Sequence, residues 1–332
     1  MTNLSRRHIL AGGAALPALA ATLPLASGVL APSPAAAQTG SGQQVPGLYR
    51  YKVGDIEVTV ANDGARSFPL PEGFVKNASR DEVNAALEAA FMPKDTMTIQ
   101  FNPLLLSTGG KLVLIDTGNG PQGGSAPVGK LPANLAWAGV KPADIDTVVI
   151  SHFHGDHING LRATDGALAF PNAEILVPAA EWSYWMDDGE MSRAPEGLQG
   201  NFKNARRIFK DIDSRVTRYE WDKEIAPGLT TVEAVGHTPG HTAFVLADGD
   251  EKLFIQSDTT NLPALFAVHP EWQVQFDMDG PKAIETRKRI YDMVAADRLP
   301  ITGYHYTFPA LGHVRRNDGG YELVPAIWNP VL

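Results

Sequence analysis

The stretch Ser151-His152-Phe153-His154-Gly155-Asp156-His157 decides how the chain is read. It follows Ile145-Asp146-Thr147-Val148-Val149-Ile150, a β-branched, apolar run that predicts a buried strand. Three imidazoles and a carboxylate then fall between His152 and His157. In extended chain alternate side chains point the same way, so His152 and His154 face one point. Gly155 permits a turn that brings Asp156 and His157 towards that point from another side. Imidazole and carboxylate together suit zinc and similar divalent cations. A polar loop with scattered histidines is the alternative, and it accounts poorly for three of the nine His of the chain in one segment.

His-x-His-x-Asp-His after an apolar strand resembles the signature of the metallo-β-lactamase-fold hydrolases. The resemblance implies an α/β fold, a four-layer αβ/βα sandwich with the site along one edge, and further ligands downstream. Gly236-His237-Thr238-Pro239-Gly240-His241-Thr242 follows a predicted strand at 229–235. Resemblance makes His237 a ligand beside His152 and His154, and leaves His241 as a buried, hydrogen-bonded residue that stiffens the loop. Asp258, in Gln256-Ser257-Asp258-Thr259, matches a carboxylate bridging two ions, although a Ser-Asp at a strand end is by itself an ordinary turn. His305 ends the run Ile301-Thr302-Gly303-Tyr304-His305 and matches the last ligand. The implied centre is dinuclear: His152, His154 and His237 for one cation, Asp156, His157 and His305 for the other, Asp258 between them. Zinc heads the expectation, with manganese, iron and cobalt also suited to these donors. Asp116, in Asp116-Thr117-Gly118, is expected beneath the site, orienting an imidazole; Asp-x-Gly is also common in turns. The implied chemistry is hydrolysis by a hydroxide held between the cations, with Asp258 and Asp156 as catalytic carboxylates. No Gly-x-Ser-x-Gly elbow supports a serine hydrolase.

Flanking stretches resemble methyl parathion hydrolase and its lactonase-like relatives. They include Pro46-Gly47-Leu48-Tyr49-Arg50, Leu131-Pro132-Ala133-Asn134-Leu135, Ala169-Phe170-Pro171-Asn172-Ala173 and Phe308-Pro309-Ala310-Leu311-Gly312. The loop at 120–127 carries no aromatic, and 259–263 departs from that branch. The expected substrates are therefore small molecules, lactones or aryl esters, with phosphotriester cleavage as a side reaction. An acyl-homoserine lactonase and a dedicated organophosphate hydrolase are alternatives. A glutathione thioester hydrolase would want a basic cluster near the motifs, and β-lactam hydrolysis or metal binding without catalysis are further readings. Trp185, Phe202, Leu262 and Phe276 are expected to wall the pocket, although the commoner fate for any aromatic between 181 and 221 is the core.

Residues 1–37 read as an export signal. Ser5-Arg6-Arg7-His8-Ile9-Leu10 is a twin-arginine start, an apolar stretch follows, and Ala35-Ala36-Ala37 is a small-residue cleavage site. A membrane anchor is the other reading, but Gly12, Gly13, Pro17 and Pro24 interrupt the stretch. The expected location is the periplasm or beyond. Residues 38–47 read as a flexible leader and 48–332 as one catalytic domain, long enough to bury a core. The chain has no cysteine, so no disulfide forms and every metal ligand is N or O. Without the two Arg of 1–37 the net charge falls from −9 to −11, which argues against nucleic acid as a partner. After signal removal no membrane contact is expected. A homodimer is implied by resemblance only.

Among the remaining elements, residues 49–61 predict a hairpin about Gly54, 64–80 a loop, and 79–90 a helix capped by Ser79. A hairpin about Gly109-Gly110, a mobile loop at 119–127 and a helix at 130–139 follow. The helix at 281–296 carries Lys282, Arg287, Lys288 and Arg289, read as a solvated basic face.

Overall fold

A computed structural model describes residues 44–121 and 127–332. The expected signal at 1–37, residues 38–43 of the leader and 122–126 of the 119–127 loop lie outside the described residues. Val45–Leu332 is one compact unit.

The chain first makes the expected hairpin, β1 (Leu48–Val53) and β2 (Ile56–Ala61), turning through Gly54 at positive φ. β3 (Gly64–Pro69) and β4 (Thr96–Phe101) then pair as an antiparallel ribbon, with α1 (Arg80–Ala89) between them in sequence. β5 (Leu104–Thr108) and β6 (Lys111–Ile115) form the second hairpin. α2 (Leu131–Trp137), β7 (Thr147–Val149), the single-turn α3 (Gly155–Ile158) and β8 (Glu174–Pro178) come next. α4 (Ala179–Trp185), α5 (Asp188–Arg193), α6 (Glu196–Ile208) and β9 (Val216–Tyr219) complete the first half. The second half starts with β10 (Glu224–Ala226), β11 (Leu229–Glu233), β12 (Thr242–Asp248) and β13 (Glu251–Ile255). It continues through α7 (Pro263–Phe266) and α8 (Gly280–Ala296) to β14 (Pro300–Thr302), β15 (Leu311–Asn317) and β16 (Gly320–Pro325).

Two seven-stranded sheets result, in the orders β1-β2-β5-β6-β7-β8-β9 and β10-β11-β12-β13-β14-β15-β16. Their central strands, β5 to β8 and β12 to β14, read as apolar runs rather than alternations because both faces are covered. Val113 and Ile115 of β6 face the second sheet, meeting Phe244, Leu246, Leu253 and Ile255, while Leu114 faces the helices. On the outer side of the first sheet, α2, α4 and α6 bury Leu135, Trp182 and Phe202. On the outer side of the second, α8 buries Ile290, Tyr291 and Val294 beside Phe254. The layering is helix, sheet, sheet, helix. No described helix is long and apolar enough to cross a membrane.

Two expectations are corrected. The loop at 64–80 contains β3, whose partner β4 lies beyond α1, so no local turn advertises the pairing. Phe68 and Ile99 of this ribbon pack on a cluster with Val83, Leu87 and Phe266 instead of on either large sheet. Arg287 is not on a solvated face: it is 1% exposed, on the stripe of α8 that also holds Ala283, Ile290 and Val294. Ser79 caps α1 as expected, within a capping box closed by Glu82.

Candidate metal centre

β6, β7 and β8 run parallel, as do β13 and β14, so the segments following them emerge together. Asp116 follows β6, the 151–157 segment follows β7, Asp258 follows β13 and His305 follows β14; His237 comes from the loop after β11. His152 and His154 leave β7 in extended chain. The chain doubles back through the single turn of α3, with His154 as its N-cap, and not through a left-handed glycine. Asp156 and His157 thereby turn towards the same point.

The seven side chains fall into three overlapping groups whose donor atoms lie within 4.8 Å of one another: His152, His154 and His237; His152, His157 and Asp258; Asp156, His157 and His305. His154 Nδ1 stands 3.0 Å from both His152 Nε2 and His237 Nε2. Asp258 links the groups. Its Oδ2 is 2.9 Å from His305 Nε2 and 3.4 Å from His237 Nε2, and its Oδ1 is 3.4 Å from His157 Nε2. Asp156 Oδ2 lies 3.6 Å from both His157 Nε2 and His305 Nε2. Asp258 Oδ1 and His157 Nε2 are buried without a hydrogen-bond partner. Buried lone pairs converging unpaired, all nitrogen and oxygen, fit divalent cations.

The outward ring atoms are fixed by the protein, which sets the tautomers. His157 Nδ1 donates to Asp116 Oδ2 at 2.8 Å, and Asp116 in turn accepts from the Ser151 amide and hydroxyl. His237 Nδ1 donates to Asp277 Oδ1 at 2.9 Å, and His305 Nδ1 to the Gln100 carbonyl at 2.8 Å. Each arrangement frees Nε2 for the centre. His241 is otherwise engaged: Nδ1 donates to the Ala234 carbonyl at 2.8 Å, and Nε2 accepts from the Asp258 amide at 3.0 Å.

Charge follows the same pattern. Burial holds His152 and His154 well below the usual histidine range. Burial, then the neighbouring His237, pushes His241 down to about 3. Burial opposes charge on His237 too, but Asp258 and Asp277 outweigh it and lift the ring to about 9. His157 and His305 are likewise raised against burial, chiefly by Asp258. Burial alone would raise Asp258, yet His305 and His157 hold it well below the usual carboxylate range.

Three residues that the motifs do not reveal brace the centre. Glu181, fully buried, accepts from the Phe153 amide, the Gly240 amide and Trp185 Nε1 at 2.6–2.8 Å, tying both histidine loops to α4. Asp277 connects His237 to Arg287, whose guanidinium also holds the carbonyls of Thr259, Pro270 and Trp272. Nothing near Glu181 or Asp277 in the sequence announces them. Arg287 had a signal: it lies four residues after Ala283 and three before Ile290, on the buried side of its helix.

A cavity of about 840 Å³ opens over His154, Asp156, His237, Asp258 and His305. Phe276 lines it, as expected, beside Phe68, Phe101, Tyr184 and Leu198. Trp185, Phe202 and Leu262 do not. Trp185 and Phe202 are fully buried and pack together with ring centroids 4.7 Å apart; Leu262 is buried with α1 and α7. One residue along α4 rotates a side chain by ~100°, which turns Tyr184 to the cavity and Trp185 into the core.

Comparison with known proteins identifies the family. A family model described as the metallo-beta-lactamase superfamily matches residues 100–300. The N-acyl homoserine lactonase AttM of Azorhizobium caulinodans is 34% identical over 122 residues, 34% of this chain and 40% of that protein. An N-acyl homoserine lactonase of a Bacillus species is 25% identical over 199 residues, 58% of this chain and 64% of the relative. The chain thus spans less than two thirds of the length of these relatives. Among solved structures, AidC, a dizinc quorum-quenching lactonase in complex with a product, matches with a TM-score of 0.80 and 27% identity over 86% of this chain and 99% of that one. The hydrolase AbOPH of the beta lactamase superfamily matches with the same TM-score and 28% identity, over 86% of this chain and 100% of that one.

Proposed function

The chain belongs to the metallo-beta-lactamase superfamily, and on that premise we propose that it is a dinuclear metal-dependent hydrolase of lactones, N-acyl homoserine lactones foremost. The observation that carries the proposal is the complete seven-residue N/O set beneath a cavity of about 840 Å³ walled by Phe68, Phe101 and Phe276. The lactonases among its relatives support the substrate class. Zinc is the proposed metal, from the all-N/O donor set and the dizinc relative.

His152, His154 and His237 would hold one cation, Asp156, His157 and His305 the other, and Asp258 both. When bound, such cations supply Lewis acidity and make water acidic enough to ionise near neutral pH. The protein does the rest. Asp116, Asp277 and the Gln100 carbonyl keep Nε2 of three imidazoles turned inward. Asp258 Oδ1, buried and without a hydrogen-bond partner among the described residues, is left free to hold a cation, and the carboxylate orients the attacking water. Tyr304 donates its hydroxyl to the Asp156 carbonyl at 2.6 Å, which fixes α3 and leaves that hydroxyl engaged. Phe101, edge-on to His305 with centroids 5.5 Å apart, excludes water from one side.

The test is kcat/KM of metal-reconstituted protein on an acyl-homoserine lactone, an aryl lactone and a methyl phosphotriester. A lactone is expected to lead the phosphotriester by tenfold or more, ~1.4 kcal/mol of transition-state preference. A leading phosphotriester, or no lactone turnover with both cations loaded, overturns the proposal.

A further inference from the structure

Two buried side-chain oxygens on the cavity wall lack a hydrogen-bond partner among the described residues: Asp258 Oδ1 and Asn261 Oδ1. The proposed cations account for the first. The second belongs to a neutral carboxamide that is 4% exposed and shares the wall with His237, Asp258 and Gln275. Leaving a buried amide unpaired destabilises the fold, so native structures rarely keep one without a use.

Asn261 cannot readily swing away to find a partner. Its loop is pinned from behind, where Arg287 Nε donates to the Thr259 carbonyl at 3.1 Å and Gln256 Nε2 to the Thr260 carbonyl at 2.8 Å. On the other side Leu262 is buried in the cluster under α1 and opens α7. The loop therefore holds a fixed amide three residues beyond Asp258, on the wall of the cavity.

We infer that Asn261 is a substrate-contact residue that hydrogen-bonds a secondary amide on the substrate and so selects N-acylated lactones over plain ones. The inference rests on the lactonase reading and deepens it. Rotation of the carboxamide about its last bond exchanges Oδ1 and Nδ2, so the group can accept from an amide N–H or donate to an amide carbonyl. An N-acyl homoserine lactone carries such an amide; an aryl lactone or a phosphotriester does not. Apolar side chains such as Phe68 and Phe276 on the same cavity wall suit an acyl chain but do not distinguish these classes.

The test uses the metal-loaded protein and the Asn261→Leu variant, which keeps the number and branching of side-chain heavy atoms and removes the polar ones. On N-hexanoyl-L-homoserine lactone the variant is expected to lose about tenfold to a hundredfold in kcat/KM, carried mainly by KM. On dihydrocoumarin, an aryl lactone without an amide, it is expected to stay within about threefold. Calorimetric affinity for the ring-opened N-hexanoyl-L-homoserine should weaken in parallel, while that for 4-hydroxybutyrate should not. Tm is expected to hold or rise, since an unpaired buried amide has been removed. Equal loss on both lactones, with or without a fall in Tm, means a structural role and overturns the inference; so does no loss on either. Failure of the lactonase reading looks different: wild-type protein then turns over neither lactone, and the Asn261 inference is overturned with it.

Discussion

Asp277 holds two obligations at once. It fixes the tautomer of His237 through a 2.9 Å hydrogen bond and neutralises Arg287, which is 1% exposed. Asp277→Ala is expected to weaken metal binding about 10- to 100-fold, as loss of an imidazole-orienting carboxylate does. It should also destabilise the fold by about 3 kcal/mol, because a buried guanidinium loses its only carboxylate partner among the described residues while keeping its carbonyls. Metal content after dialysis and a urea unfolding curve check the two effects separately. Asp277 was illegible in the sequence because a lone carboxylate 40 residues from the histidine it orients has no spacing to betray it. The seven residues proposed as ligands were legible as candidates because each lies in a segment that follows a strand, inside a motif that resembles a known one. Trp185 and Tyr184 show the residue-level limit: both are aromatic and adjacent, and only the phase of α4 separates core from cavity.

At the scale of elements, the site is a stack of loops at strand ends. Thr117 donates its amide and hydroxyl to the His157 carbonyl, at 2.8 and 2.7 Å, so the 116–118 turn carries α3 directly. Gly160 closes the same stack, where a Cβ would meet the Thr117 carbonyl oxygen at 1.8 Å. Gly160→Ala must push these loops apart. The expected outcome is a lower Tm together with substoichiometric metal in the purified protein; full metal content and an unchanged Tm would show that the loops tolerate separation. Hairpins and helices with local signals, such as Gly54, Gly109-Gly110 and the Ser79 cap, were readable in advance. The β3–β4 ribbon was not, because its pairing spans α1 and its packing partners are helices rather than a sheet.

For the whole molecule, metal and protons compete for one buried cluster. Without metal, His237 sits near 9, and His157 and His305 are raised as well, so the folded chain binds protons that the unfolded chain releases above about 6.5. A raised histidine stabilises the fold fully below the unfolded value and loses that contribution as pH climbs through the folded one. Metal-free protein is therefore expected to lose stability between pH ~6.5 and ~9, and apparent metal affinity to rise over the same window as fewer protons must be displaced. Chelator-titrated Tm and metal Kd at several pH values check this; a flat metal Kd across the window contradicts it. The four-layer architecture was legible through the resemblance that the histidine motifs carry, and short apolar runs such as 147–150 and 253–255 agree with sheets covered on both faces. The cavity was not, because the apolar part of its wall comes from the ribbon, from α4 and α6, and from the strip at 275–278, none of which carries a metal motif. That division of labour has a practical side. A combinatorial library randomised at Phe68, Tyr184, Leu198 and Phe276 touches no proposed ligand and none of the carboxylates bracing them, so variants in it can diverge in substrate range while inheriting the same hydrolytic engine.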